Sequence, residues 1–139
     1  MLYVSITGLR VRRLWHYSRF VFHAARSMIQ ARSADGNLFA DARKIHGVHH
    51  TLTVWTDRSV MLAYLRAGAH RRAMVAFPSI GTGYAFGFEA VDRPEWSAVH
   101  ALWLDEGERR HENQRTPETL SSTWPTIGAD SETFDRITP

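Results

Sequence analysis

At 139 residues, with 44% apolar and 22% charged residues, the sequence has enough apolar material for one hydrophobic core and lies far from the composition of disordered chains. The net charge is only +3 and there is no cysteine, which excludes disulfides, thiolate catalysis, iron–sulfur clusters and zinc sites of the cysteine type. No run approaches the ~20 apolar residues of a membrane span and the apolar stretch after Met1 is too short for a signal peptide, so a soluble cytoplasmic protein is expected.

Leu2 to Val11 mixes β-branched, aromatic and hydroxyl residues in partial alternation and reads as a first strand. Trp15, Phe20, Phe22, Ala24, Met28 and Ile29 then recur at helical spacing, until Ser33-Ala34-Asp35-Gly36-Asn37 stops the helix. A weakly alternating strand over 38–45 reaches a turn at His46-Gly47. Beyond it, Val48 to Trp55 is the strongest strand signal in the chain, so a hairpin with Gly47 in its turn is predicted. Thr56-Asp57 caps a second helix whose stripe Val60, Met61, Tyr64, Leu65 defines one buried face. Gly68 interrupts this helix, 69–77 resumes it, and Pro78 is predicted to end it.

Gly83-Tyr84-Ala85-Phe86-Gly87-Phe88 alternates small and aromatic residues and forms a last strand whose small face admits a close neighbour. Asp92-Arg93-Pro94-Glu95 opens a short third helix with Trp96, Val99, Leu102 and Trp103 as its apolar face. The order is β-α-β-β-α-β, an α+β ferredoxin-like domain over 1–106 with an extra C-terminal helix. The polar stretch 107–139 is expected to be a loosely ordered tail, pinned by Trp124 or Phe134.

Residues 1–72 hold 12 basic against 3 acidic residues and residues 73–139 hold 5 against 11, so the halves attract each other. Arg10, Arg12 and Arg13 with Trp15 form the only run that hints at nucleic acid, and a solvated face balancing the acidic half accounts for it, so no nucleic-acid partner is expected. Both alternating sets of strand residues are apolar or aromatic. A second copy packed face to face is the simplest cover for the outer sheet face, the alternative being the third helix and tail of the same chain.

Thr51-Leu52-Thr53-Val54-Trp55, then Met61, Tyr64 and Leu65, then Gly68-Ala69-His70-Arg71-Arg72-Ala73-Met74, resembles the antibiotic-biosynthesis-monooxygenase-like proteins of the dimeric α+β barrel superfamily. More narrowly, this stretch is similar to bacterial members likened to spheroidene monooxygenase. The resemblance covers residues 2 to 91 and implies a homodimeric α+β barrel whose members include cofactor-free oxygenases and haem-degrading enzymes. In the haem-degrading members a tryptophan and a haem-ligating histidine follow the Thr-Val-Trp strand, at positions that here hold Tyr64 and Met74, and their first-strand asparagine aligns with Thr7. That activity is therefore disfavoured and no cofactor is expected, although Met74 is a weak iron ligand in principle.

His70 lies one helical turn before Met74, on the same face. It is either a packed histidine bonding a carbonyl or the base and polar handle of a ligand pocket. Trp55, Tyr64 and Met74 would shape the pocket wall, with His49 and Thr51 projecting together from the strand. His46, His49 and His50 suggest a metal cluster, but His49 and His50 point to opposite faces and cannot readily share an ion, so no metal site is expected. Gly81-Thr82-Gly83 precedes a strand and lacks the lysine of a phosphate loop, and no Gly-x-Ser-x-Gly is present. The leading expectation is a protein that binds a small apolar molecule, with oxygenase-like chemistry. The rival is a non-catalytic dimeric module that binds a ligand or partner, and a cavity of about 300 Å³ beside His70 separates the two.

Overall fold

Period-two alternation sorts the residues of the central strands onto two apolar faces, and helices lie against both. A computed structural model describes residues 1–115. Strand β1 (Leu2–Val11) lies between β3 (Val48–Trp55) and β4 (Gly81–Ala90), antiparallel to both, and β2 (Asn37–Ile45) pairs with β3 at one edge. The sheet order β2-β3-β1-β4 with helices after β1 and β3 is the ferredoxin-like arrangement. His46 and Gly47 both take positive φ, +50° and +78°, as a two-residue type I′ hairpin turn requires.

One face carries Tyr3, Ser5, Thr7 and Leu9 of β1 beside Thr51, Thr53 and Trp55 of β3, and the helices pack on it. These are α1 (Tyr17–Ser33), α2 (Arg58–Leu65) and α3 (Gly68–Ile80). Asp57 caps α2 by accepting a hydrogen bond from the Val60 amide at 3.1 Å. The predicted face of α1 is partly wrong. Ser27, Met28 and Ala31 are its buried residues, while Phe22 and Ile29 are 55% and 66% exposed and Trp15, in the turn before the helix, is 67% exposed. Small residues on the inward side let α1 approach the sheet, and the large apolar residues at other angles are left outside.

Pro78 does not end its helix. It sits in the last turn of α3, which runs on to Ile80; there the ring satisfies helical φ and only one amide donor is missing.

The other face carries Val4, Ile6, Leu52, Val54, Tyr84 and Phe86, and α4 (Trp96–Arg115) lies across it with Val99 and Trp103 buried. The helix expected to be short is thus 20 residues long and passes through Gly107, where the tail was expected to begin. The rest of that tail, with Trp124 and Phe134, lies outside the described residues. Part of this face is thus covered by α4, the predicted third helix of the same chain, the alternative to a second copy. Trp103 stacks on Tyr84 at 4.4 Å and 6°, and its Nε1–H donates to the Tyr84 carbonyl at 3.1 Å. Burial pushes the Tyr84 hydroxyl up to about 12, and that hydroxyl donates to the Trp103 carbonyl. Among the described residues, no helix is long and apolar enough to cross a membrane.

Candidate functional site

Hydroxyl side chains at alternate positions of two adjacent strands leave the helix-covered face short of bulk, and a cavity of about 200 Å³ opens above them. Ser5, Thr7, Thr51 and Thr53 form its floor. The Thr7 and Thr51 hydroxyls bond each other, the Thr51 amide donates to Thr7 Oγ1 at 3.2 Å, and Thr53 Oγ1 accepts from Trp55 Nε1 at 2.9 Å. Apolar walls come from Phe20 and Met28 of α1, Met61 and Leu65 of α2, and Met74 and Phe77 of α3.

His70 lines the cavity at 9% exposure, its ring 4.5 Å from that of Tyr64. Its Nδ1 lies 3.3 Å from the Leu65 carbonyl, which requires an N–H there and so assigns the neutral ring's lone pair to Nε2. Gln30 positions this histidine. Its amide nitrogen donates to the Tyr64 and Ala67 carbonyls at 3.2 and 2.8 Å, and its oxygen accepts from the His70 amide at 2.8 Å. The broken helix thereby has its end groups satisfied at Gly68, whose φ of +57° turns the chain between α2 and α3. The Tyr64 hydroxyl donates to the Ser27 carbonyl at 3.1 Å, and burial pushes its pKa up to about 12, so it stays a neutral donor.

His49 bounds the cavity near β2. Its Nε2 is 3.1 Å from the Tyr17 hydroxyl, which donates to it while accepting from Lys44 Nζ at 3.0 Å. Burial, then the charge of Lys44, holds the His49 pKa below its usual value. His50, 1% exposed, faces the opposite side of the sheet. Its Nδ1–H donates to the Thr7 carbonyl at 2.9 Å, and its Nε2 accepts from His100 Nδ1 at 2.9 Å. Burial lowers the pKa of both rings. For His50 the Thr7 bond opposes the shift and His100, Arg10 and His49 add to it; for His100, His46 and Arg10 add to it.

Of the residues singled out in the sequence, His70, Tyr64, Met74, His49 and Thr51 line this one cavity. Trp55 does not: it is fully buried behind Tyr64, ring centroids 4.9 Å apart, and shapes the wall only through that ring. Gln30, Lys44, Tyr17 and the hydroxyl floor of Ser5 and Thr53 were missed, while Thr7 was named only through its alignment with the first-strand asparagine. The i, i+2 pairing of Ser5 with Thr7 and Thr51 with Thr53 was the available signal for the floor, and Gln30 had none. The cavity is smaller than the 300 Å³ set as a criterion, and smaller than drug-sized pockets of about 300 to 1,000 Å³.

A search of solved structures returns the same architecture. The fold is shared. Rv0793 from Mycobacterium tuberculosis matches 67% of this chain and 99% of its own at 11% identity and a TM-score of 0.58. SnoaB from Streptomyces nogalater, a cofactor-independent oxygenase, matches 68% of this chain and 98% of its own at 16% identity and 0.56. An antibiotic biosynthesis monooxygenase matches 66% and 100% at 15% identity and 0.57. No protein-family model and no curated protein matches the sequence.

Proposed function

We propose that the chain binds a small apolar molecule between sheet and helices and acts on it as a monooxygenase-like enzyme without a resident cofactor. The observation that carries this reading is the cavity, which joins apolar walls to a hydroxyl floor and a buried histidine. His70 is the base. Its Nε2 takes a proton from an acidic C–H of the ligand; the carbanion gives its electrons to dioxygen and forms a C–O bond, the proton returns to the distal oxygen, and the resulting hydroperoxide loses water to leave a carbonyl at that carbon. Tyr64, Met74 and Thr51 hold the molecule against it. The fold shared with a cofactor-independent oxygenase supports the reaction class, and the stretch from Thr51 to Met74 supports the narrower likeness to relatives of spheroidene monooxygenase.

The rival reading, a non-catalytic binding module, is favoured by the small cavity volume. Calorimetric titration of 2-tetralone, an aromatic ketone with acidic C–H bonds, with oxygen uptake followed by electrode, separates the two. Uptake that disappears in His70→Ala supports the enzyme; binding with no uptake above background supports the module. Pairing of two copies belongs to the same proposal and rests on Leu2, Phe39 and Phe88 of the outer sheet face and Trp96 at the start of α4, which stay half-buried. Sedimentation at twice the 15.9 kDa chain mass supports pairing, and a single-chain mass refutes it. A cytoplasmic setting is likewise proposed, to be checked by fractionation.

A further inference from the structure

The charge at the cavity mouth is one-sided. Among the described residues no Asp or Glu lines the cavity, and the charged residues that do are Arg43 and Lys44. Arg43 is spoken for on the other face, where its guanidinium lies 4.9 Å over Trp96 and 3.6 Å from Asp41. Lys44 stands opposite His49 in the β2–β3 register and so shares the cavity face. Its ammonium donates to the Tyr17 hydroxyl, and among the described residues no carboxylate forms an ion pair with it.

An ammonium has three donors and no acceptor, so the Tyr17 bond leaves it able to receive a further acceptor oxygen. Tyr17 accepts from Lys44 and directs its own O–H to His49 Nε2, which fixes the lysine beside the opening. Next to it the Phe20 ring lies 4.4 Å from that of His49 and 6.1 Å from that of Phe77, an apolar wall leading inward.

We propose that the ligand of this cavity is an apolar acid, its carboxylate received by Lys44 at the mouth and its body lying along Phe20 and Phe77. The inference rests on the cavity being a ligand site and adds the substrate class. The test is calorimetric titration of the full chain at pH 8 with 2-naphthoate and with the isosteric neutral 2-naphthamide, for the native sequence, Lys44→Met and Lys44→Arg. Lys44 is exposed, so the variants keep the fold, checked by unchanged circular dichroism.

Naphthoate is expected to bind about tenfold more tightly than the amide, as a charge-assisted hydrogen bond provides. Lys44→Met abolishes the difference without changing amide affinity, and Lys44→Arg retains it. Equal affinities in the native chain, or a preference that survives in Lys44→Met, overturn the acid ligand while leaving the cavity reading intact. Binding of neither probe overturns both.

Discussion

Replacing Gly8 with alanine tests whether α4 belongs to the folded unit. In a strand interior glycine is disfavoured against alanine by about 0.5–1 kcal/mol, so an open sheet face would make the substitution stabilising. Gly8 instead lies beneath the Trp103 indole, and an added Cβ falls inside the van der Waals radius of the ring, 2.7 Å from Cζ2. The ring cannot slide freely, because it stacks on Tyr84 and its Nε1–H is bonded to the Tyr84 carbonyl. Overpacking of this kind costs about 1–3 kcal/mol, which the strand gain only partly offsets. The expected net loss is about 1–2 kcal/mol, or a fall in Tm of about 4–8 °C. Thermal and urea unfolding measure it, and a second variant supplies the control: with Trp103→Ala already present, Gly8→Ala becomes neutral or stabilising. A rise in Tm for Gly8→Ala alone refutes the docking of α4, and an equal cost with and without Trp103 refutes the ring as its cause.

The buried His50–His100 pair makes stability depend on pH in a definite direction. Both pKa values are lowered in the folded chain, so the unfolded chain binds more protons below about 6.5. The contribution is complete above that pH and is lost as pH falls through the lowered values, so the urea midpoint drops from pH 7.5 to 5.5, less steeply in His100→Ala; a midpoint that rises on acidification contradicts the pairing. Gln30→Ala removes three hydrogen bonds around the helix break and should cost about 2 kcal/mol in urea unfolding and weaken binding at His70, whereas a change under about 0.5 kcal/mol denies it the positioning role. Tyr64→Phe loses the bond to the Ser27 carbonyl at almost constant volume, and a cost of about 1 kcal/mol by the same assay is expected; no change would mean the hydroxyl is not held there. Naphthoate affinity at Lys44 should rise only as pH falls through the lowered His49 value, below the ordinary value of about 6.5, because His49 then gains charge beside the same carboxylate, and a flat profile separates His49 from the ligand.

The elements were readable because their signals are local. Alternation over Leu2–Val11 and Val48–Trp55, the Asp57 cap and the His46-Gly47 turn each fix a backbone segment without reference to the rest of the chain. What failed depends on contacts distant in sequence. The buried side of α1 is decided by how closely the helix approaches the sheet, which makes Ser27 and Ala31 inward residues despite their size. Trp55 was expected in the cavity wall and does share a strand face with Thr51 and Thr53, yet Tyr64 stands in front of it. His100 joins His50 only once α4 folds back, and Lys44 acquires meaning only across the β2–β3 ladder. The sequence left the cover of the outer face open between α4 and a second copy for a related reason. An apolar strand face in a sequence states that something covers it but not whether the cover is the same molecule.

The reach of α4 also bears on aggregation. β4 is an edge strand of ten residues in which Glu89 is the sole charged side chain, the kind of edge that recruits strands from other molecules. Arg110 extends from α4 to donate to the Ala85 carbonyl of that strand at 2.8 Å, and is itself tied back to Glu106 at 3.2 Å. The helix thus acts as a guard rail along the vulnerable side of the sheet. A chain ended at residue 106, the boundary that composition suggests, would keep every strand and the whole cavity and still lose this protection, so its failure would show first as insolubility rather than as a lost ligand.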